Sequence, residues 1–361
     1  AVIWTDVAQA GILLVGAIII LFALLQQMPE SIGTTLTTLK AQGKLNPLEF
    51  DFNLTHATTA WSGIIAMTLY HITVYGTNQM MVQRTLASKS IGDAKKSYLT
   101  MGFAAFFIYF LFIFLGVMFY SYYQGAEFEN SNTIILQFAS DYGLPGLMGL
   151  IAAAVMAASM SSLDSAFNSM STVMTVDFYQ KYIRKDATEE HYLKMSRSFT
   201  VLIAIIIIVP AIMLTGSTGS ILLVLSNIGS YFVGAQLGMF AVGFFSKHAT
   251  EKGVLVGTAI GFVMVWYIAN HTDIAWPWYC AIGAFTNIVV TITASLLIDG
   301  KSDEYSSYSV RGQIKAFAEE GRAEKQDGWY LVPGKIDRVS YLLIVFFVAT
   351  ILFLFLFGRA F

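Results

Sequence analysis

Residues 341–357 read YLLIVFFVATILFLFLF, an apolar run that no charged or turn-forming residue interrupts. Crossing the hydrocarbon core of a bilayer takes about 20 residues of helix, so the run reads as a membrane span. Eight more stretches share its character, at 7–27, 58–79, 98–123, 147–179, 199–215, 221–245, 253–270 and 274–297. Strands of a membrane barrel are about 10 residues long and alternate polar with apolar side chains; these runs are longer and continuous. The pattern predicts an all-α, polytopic membrane bundle of about nine spanning helices. Composition agrees. Of 361 residues 56% are hydrophobic and only 12% charged, against about 25% charged in an ordinary soluble domain. A net charge of −2 offers no basic field to nucleic acid. The lone cysteine, Cys280, lies in an apolar stretch and reads as core.

The loops give the orientation. With residue 1 placed in the cytoplasm, the inner loops collect eighteen lysines and arginines, while only Lys40, Lys44 and Arg359 fall outside. That asymmetry follows the positive-inside rule. The expected address is a cell membrane (inner or plasma), multi-pass. The inner segment 299–338 carries GQIKAFAEEGRAEKQDG, mixed in sign, and predicts a short amphipathic helix with a loop. The outer loop holding Glu127, Glu129 and Asp141 has the apolar cluster Ile134, Ile135, Leu136 and Phe138, which predicts another short helix.

No HExxH, GxSxG or Walker-type run occurs, and the five histidines are scattered; the chain does not read as an enzyme. Polar residues inside spans are then the informative ones, because they are costly in lipid. The fourth span reads MAASMSSLDSAFNSMSTVMTVDFY over 156–179. Three- and four-residue steps put Ala158, Ser161, Ser162, Ser165, Asn168, Ser169 and Thr172 on one helical face. Hydroxyls and a carbonyl in that array suit a hard cation, which takes oxygen ligands. Small residues also permit close helix packing, and spacing alone leaves both readings open. Asp164 on the same helix needs a partner or a cation. Asp6, at the inner end of the first span, is an ion ligand or a helix-start carboxylate favoured by the dipole. The second span, with LYHITVYGTNQMMVQR, offers His71, Thr73 and Tyr75 as mixed donors and aromatic faces for a solute. In the sixth, LSNIGSYF carries Ser226, Asn227, Gly229 and Ser230, an array suited to interrupting a helix. Gly253, Gly257 and Gly261, four apart, read as a packing ridge.

AVIWTDVAQ, YGTNQMMVQRTLASKS, SSLDSAFNSMSTVMTVDFY and FFSKHATEKGVLVG, in this order and spacing, resemble the sodium/solute symporter family. That family includes sodium–glucose, sodium–iodide, sodium–proline and sialic acid transporters. The resemblance implies a transporter of two inverted five-helix repeats working by alternating access. Residues 1–246 correspond to core helices five to ten and 253–361 to the C-terminal extra helices, in a single transmembrane domain. The opening at Ala1 reads as the start of a C-terminal portion lacking the first core helices. Carried over residue by residue, the resemblance implies sodium at the Ala158 carbonyl and the Ser161 and Ser162 hydroxyls. It implies a second sodium at Asp6 and Ser165, with Asp164 standing where relatives have serine. His71, Thr73, Tyr75 and Ser226 are the solute candidates, Ser226 standing near where the resemblance leads one to expect a glutamine. Sugar-transporting relatives carry an aromatic pair where this chain has Val74-Tyr75 and a lysine near Ala105; YGTNQMMVQR is nearer in flavour to the anion and vitamin carriers. Together these imply sodium-coupled symport of a small polar solute, a sugar or a small carboxylate, with the lipid bilayer as surroundings. A membrane-embedded solute sensor is the rival reading.

Overall fold

The computed structural model describes residues 2–142, 145–214, 220–302 and 304–360. Among these the helices are α1 (Val2–Gln27), α2 (Ile32–Ala41), α3 (Met67–Gly76), α4 (Gln79–Leu86), α5 (Ile91–Tyr122), α6 (Ile134–Tyr142), α7 (Leu147–Thr172), α8 (Glu189–Leu214), α9 (Ile221–Phe245), α10 (Glu251–His271), α11 (Tyr279–Ile298), α12 (Val310–Glu319) and α13 (Arg338–Ala360). A π-helical turn, Ser62–Ala66, leads into α3, and another, Val173–Ile183, prolongs α7. Eight helices are long and apolar enough to cross a membrane among the described residues. The all-α bundle expected from the apolar runs is present. Thr215, the predicted end of the fifth span, lies outside the described residues.

The second predicted span is the exception. Residues 58–79 do not form one long helix: the π-helical turn and α3 carry the chain to Gly76, and α4 starts afresh at Gln79. Asn78 causes the restart by leaving helical geometry (ψ 127°) and capping Met80 with its side chain at 2.9 Å. A polar cap inside an apolar run ends one helix and begins another, and hydropathy does not register it. A second correction concerns α9, which is continuous through Ser226–Ser230. The Ser230 hydroxyl donates to the Asn227 carbonyl at 2.6 Å, so these polar groups bond along the helix instead of opening it.

The chain divides into two compact units, Ala1–Thr35 with Tyr109–Ile221, and Leu36–Ile108 with Leu222–Phe361. In the first, α1 and α7 pack along their length. A Cβ on Gly16 would lie 3.2 Å from the Ala154 side chain, so glycine there lets the backbones approach. Contacts of Gly16 with Ala154 and of Asp6 with Ser161 show the two helices antiparallel, the sense that alternating loops require.

In the second unit α10 and α11 form the tightest pair. A Cβ on Gly253 would meet the Ser295 hydroxyl at 1.9 Å, and one on Gly257 the Thr291 hydroxyl at 2.0 Å. The glycine ridge is a packing seam, as its spacing suggested. Asn287, fully buried, locks the seam to α9, donating to the Ala235 carbonyl (3.1 Å) and to Thr258 (3.2 Å) while accepting from Thr291 (3.1 Å). Cys280 is buried in this core. The apolar windows of α8 and α13 are only 6% buried within the protein; the chain itself does not cover them, as suits surfaces meeting lipid.

The inner segment folds as expected into amphipathic α12, capped by the Ser309 hydroxyl accepting from Gly312 N at 3.0 Å. It then forms a small hairpin, β1 (Lys325–Gln326) with β2 (Trp329–Tyr330). Asp327 and Gly328 both have positive φ, 51° and 84°, which a two-residue turn matched to strand twist requires. The hairpin straps the start of α5. Trp329 occupies the space over Gly92, where a Cβ would lie 2.6 Å from its ring. Lys95 donates to the Tyr330 carbonyl at 2.7 Å and pairs with buried Asp337. The Lys95 hydrogen bond holds the Asp337 carboxyl below the usual carboxylate range, with the Tyr330 N–H adding to the effect. The predicted outer helix is α6, preceded by the turn Ser131–Thr133.

Candidate functional site

Unit one gathers the cation candidates on α1 and α7. Asp6 lies beyond the first turn of α1, so it is no helix-start carboxylate. Its Oδ1 accepts a hydrogen bond from Ser161 Oγ at 2.7 Å, across 155 residues of sequence. One turn toward the helix start, the Ser162 hydroxyl donates to the Ala158 carbonyl at 3.3 Å. Oxygens about 3.4 Å apart are neighbouring ligands around a cation with bonds of about 2.4 Å. The Asp6 carboxylate and the Ser161 hydroxyl meet between the two helices, while the Ser162 hydroxyl and the Ala158 carbonyl pair along α7 within one turn of them. The donor set is oxygen alone, which fits a hard monovalent ion and not a thiophilic metal.

The neighbouring turn carries the second-site candidates. Ser165 is buried and Asp164 half-buried; Ser161 is four residues from the first and three from the second, so all three share a face. Asp164 has no hydrogen bond or ion pair among the described residues. Thr172 of the stripe returns its hydroxyl to the Asn168 carbonyl at 2.7 Å, and off the stripe Ser171 does the same at 3.2 Å and Thr175 donates to the Ser171 carbonyl at 2.7 Å. Ser161 differs in sending its hydroxyl across to α1.

Unit two holds the solute candidates. His71 Nδ1 lies 2.8 Å from the Met67 carbonyl. A carbonyl only accepts, so Nδ1 carries the proton and a neutral ring offers Nε2 as acceptor. The His71 ring stacks on Tyr75 at 5.6 Å and 10°. Tyr70 sits edge-on to both His71 and Trp276, and a Cβ on Gly229 of α9 would lie 3.4 Å from its hydroxyl. Ser226, three residues earlier, shares that face of α9. Tyr70 thus links the His71–Tyr75 ring pair to α9 at Gly229. Thr73 does not join them. It is buried, its hydroxyl donates to the Leu69 carbonyl at 3.2 Å, and it faces Cys280.

Sequence reading missed the side chains that hold the α3–α4 break. Tyr98 of α5 donates to the Tyr75 carbonyl at 2.9 Å, and Gln236 of α9 donates to Thr77 Oγ1 at 3.0 Å. Only the Asn78 cap signalled the break locally.

With this geometry in view, the comparisons with known proteins are decisive. The family model described as "Sodium:solute symporter family" matches residues 1–261. The chain belongs to the sodium:solute symporter family. The sodium/sialic acid symporter NanT of Aliivibrio fischeri is 30% identical over 319 residues, 85% of this chain and 62% of that protein. The sodium-coupled monocarboxylate transporter 1 of Homo sapiens is 30% identical over 288 residues, 77% of this chain and 46% of that protein. A solved structure of a sodium-coupled sialic acid symporter, substrate-bound and outward-open, superposes with a TM-score of 0.73 at 25% identity. The match covers 84% of this chain and 63% of that one, a structure that reveals a novel sodium site. The chain spans about half to three fifths of the length of these relatives. As a symporter-family member with eight apolar helices of spanning length among its described residues, it is a multi-pass membrane protein. The relatives are transporters, not enzymes.

Proposed function

We propose that this chain forms the ion-binding half of a sodium-coupled symporter that carries a small polar organic solute, a sugar or a small carboxylate, across a cell membrane by alternating access. One observation carries the reading: the 2.7 Å hydrogen bond from Ser161 to Asp6, which unites a carboxylate on α1 with the hydroxyl-rich face of α7. Sodium binds at the Ala158 carbonyl and the Ser161 and Ser162 hydroxyls. A second sodium lies between Asp6, Ser165 and Asp164. Two carboxylates near one another repel unless a cation lies between them, and that Asp164 has no hydrogen bond or ion pair among the described residues supports a cation there. Because Ser161 touches Asp6, it borders both positions, so filling one prepares the other.

The solute is held by His71, Tyr75 and Ser226, with Thr73 supporting the helix from its core side. Relatives named for sialic acid and for monocarboxylates support the solute class. The inward sodium gradient supplies the work, each charge crossing 100 mV contributing about 2.3 kcal/mol. Ion and solute affinities rise together because coupling is reciprocal. The test is uptake of labelled sialic acid, lactate and glucose into proteoliposomes with sodium or choline outside. Uptake of one solute in sodium and none in choline supports symport; tight binding of a solute with no uptake in either salt favours the sensor instead.

A further inference from the structure

The break between α3 and α4 leaves backbone to be satisfied. The last carbonyls of a helix have no partners within it. Here the Thr73 carbonyl accepts from Thr77 N, Asn78 N and Thr77 Oγ1 at 3.0, 3.2 and 2.9 Å. The Tyr75 carbonyl is met instead by a side chain from another helix, the Tyr98 hydroxyl at 2.9 Å. The same phenol oxygen lies 3.0 Å from Thr85 Oγ1 on the last turn of α4. One hydroxyl therefore touches both sides of the break. Across from it, Gln236 of α9 holds Thr77.

Tyr75 is the residue whose ring stacks on His71, so fixing its carbonyl fixes the ring pair. Tyr98 is itself fixed. Lys95, one turn earlier on the same face of α5, is bound by Tyr330 and Asp337, and Gly92 lies under Trp329. The cytoplasmic strap, the start of α5 and the helix break form one continuous set of contacts within this unit.

We propose that Tyr98 is a positioning residue for the solute site: its hydroxyl pins the α3–α4 break and thereby sets the Tyr75–His71 ring pair. This rests on assigning His71 and Tyr75 to the solute. The role belongs to the hydroxyl, since phenylalanine fills the same apolar volume. Removing it takes the Tyr98 hydrogen bond from the Tyr75 carbonyl and loosens the break.

The experiment compares wild type, Tyr98→Phe and Thr85→Val in nanodiscs by amide hydrogen exchange. It also measures uptake at saturating sodium of whichever of sialic acid, lactate or glucose the protein carries. In Tyr98→Phe the amides of residues 76–82 exchange about five-fold faster, the size of one neutral hydrogen bond. Exchange in α10 and α11 is unchanged, the solute KM rises about five-fold, and the half-saturating sodium concentration stays put. Thr85→Val shows a smaller change of the same kind. Unchanged exchange at 76–82 in Tyr98→Phe overturns the pin. Faster exchange throughout the unit also overturns it, leaving a general structural role. Faster exchange at 76–82 with an unchanged KM supports the pin and removes Tyr75 from the solute site.

Discussion

Replacing Ser161 by alanine tests the ion site with little threat to the helix, alanine being the best helix former. The Ser161–Asp6 hydrogen bond is charge-assisted at 2.7 Å, a class worth about 1.5–3 kcal/mol. Most of that does not appear in sodium affinity, because the Ser161 hydroxyl keeps donating to Asp6 with or without the ion. What is lost is one ligand oxygen of about five or six, about 1.4 kcal/mol, or ten-fold in dissociation constant. Asp6→Asn keeps a hydrogen-bond acceptor but removes the charge. Two charges 4 Å apart at an effective dielectric of 20 interact by about 4 kcal/mol; a half-exposed carboxylate delivers roughly half of this, about thirty-fold. Thermal unfolding in sodium against choline reads these constants without knowledge of the solute, since stabilisation follows RT ln(1 + [L]/Kd). The wild-type curve should move to about ten-fold higher sodium in Ser161→Ala and about thirty-fold higher in Asp6→Asn. The double mutant should fall short of the product, since the two share a contact. Ser159→Ala is the control, its hydroxyl being returned to the Val155 carbonyl at 2.9 Å. Sodium curves unchanged in both single mutants, or shifted equally by Ser159→Ala, would refute the reasoning.

Further consequences can be measured. Gly257→Leu drives a side chain into the Asn287 carbonyl and Thr291 N, both 2.9 Å from its Cβ, and should cost about 1–3 kcal/mol, read as a lower unfolding temperature in detergent. The Asp337 carboxyl is depressed by Lys95, so its contribution is complete above the unfolded value near 4 and fades as pH falls through the lower folded value. Limited proteolysis at residues 320–330 should be slow at pH 7 and fast near pH 3, and Asp337→Asn should be cut quickly at both. Cysteines at Tyr305 and Asn130 test orientation: an impermeant maleimide on intact cells should label position 130 and spare 305, and the reverse pattern overturns the charge count. A wild-type Hill coefficient for sodium near two, falling toward one in Ser165→Ala, supports the second ion; a coefficient of one throughout removes it.

What the sequence disclosed follows from the range of each signal. Continuous apolar runs announce spans because lipid imposes a length on each helix separately. The 253–257–261 glycine ridge and α12 were likewise readable, as local periodicity fixes them. Asp327-Gly328 carried a hairpin signal that passed for a loop. The break after Gly76 was hidden because hydropathy averages across it, while a single Asn78 side chain decides it. The stripe on α7 was visible, but not which hydroxyls serve the backbone and which face Asp6. That division depends on the packing of α1 against α7, set by Gly16 and Ala154 far along the chain. Tyr98 and Gln236 had no signal at all, since their roles exist only after α5 and α9 have packed beside the break.

The central claim is that sodium bound at the oxygen face shared by α1 and α7 is coupled to entry of the solute. Its most direct test is entry of radioactive sodium into proteoliposomes with and without the transported solute outside. The account predicts that solute accelerates sodium entry in wild type, and that Ser161→Ala/Ser162→Ala abolishes the acceleration while the protein remains folded. Solute entry that leaves sodium flux unchanged, or acceleration that survives in the double mutant, would contradict it.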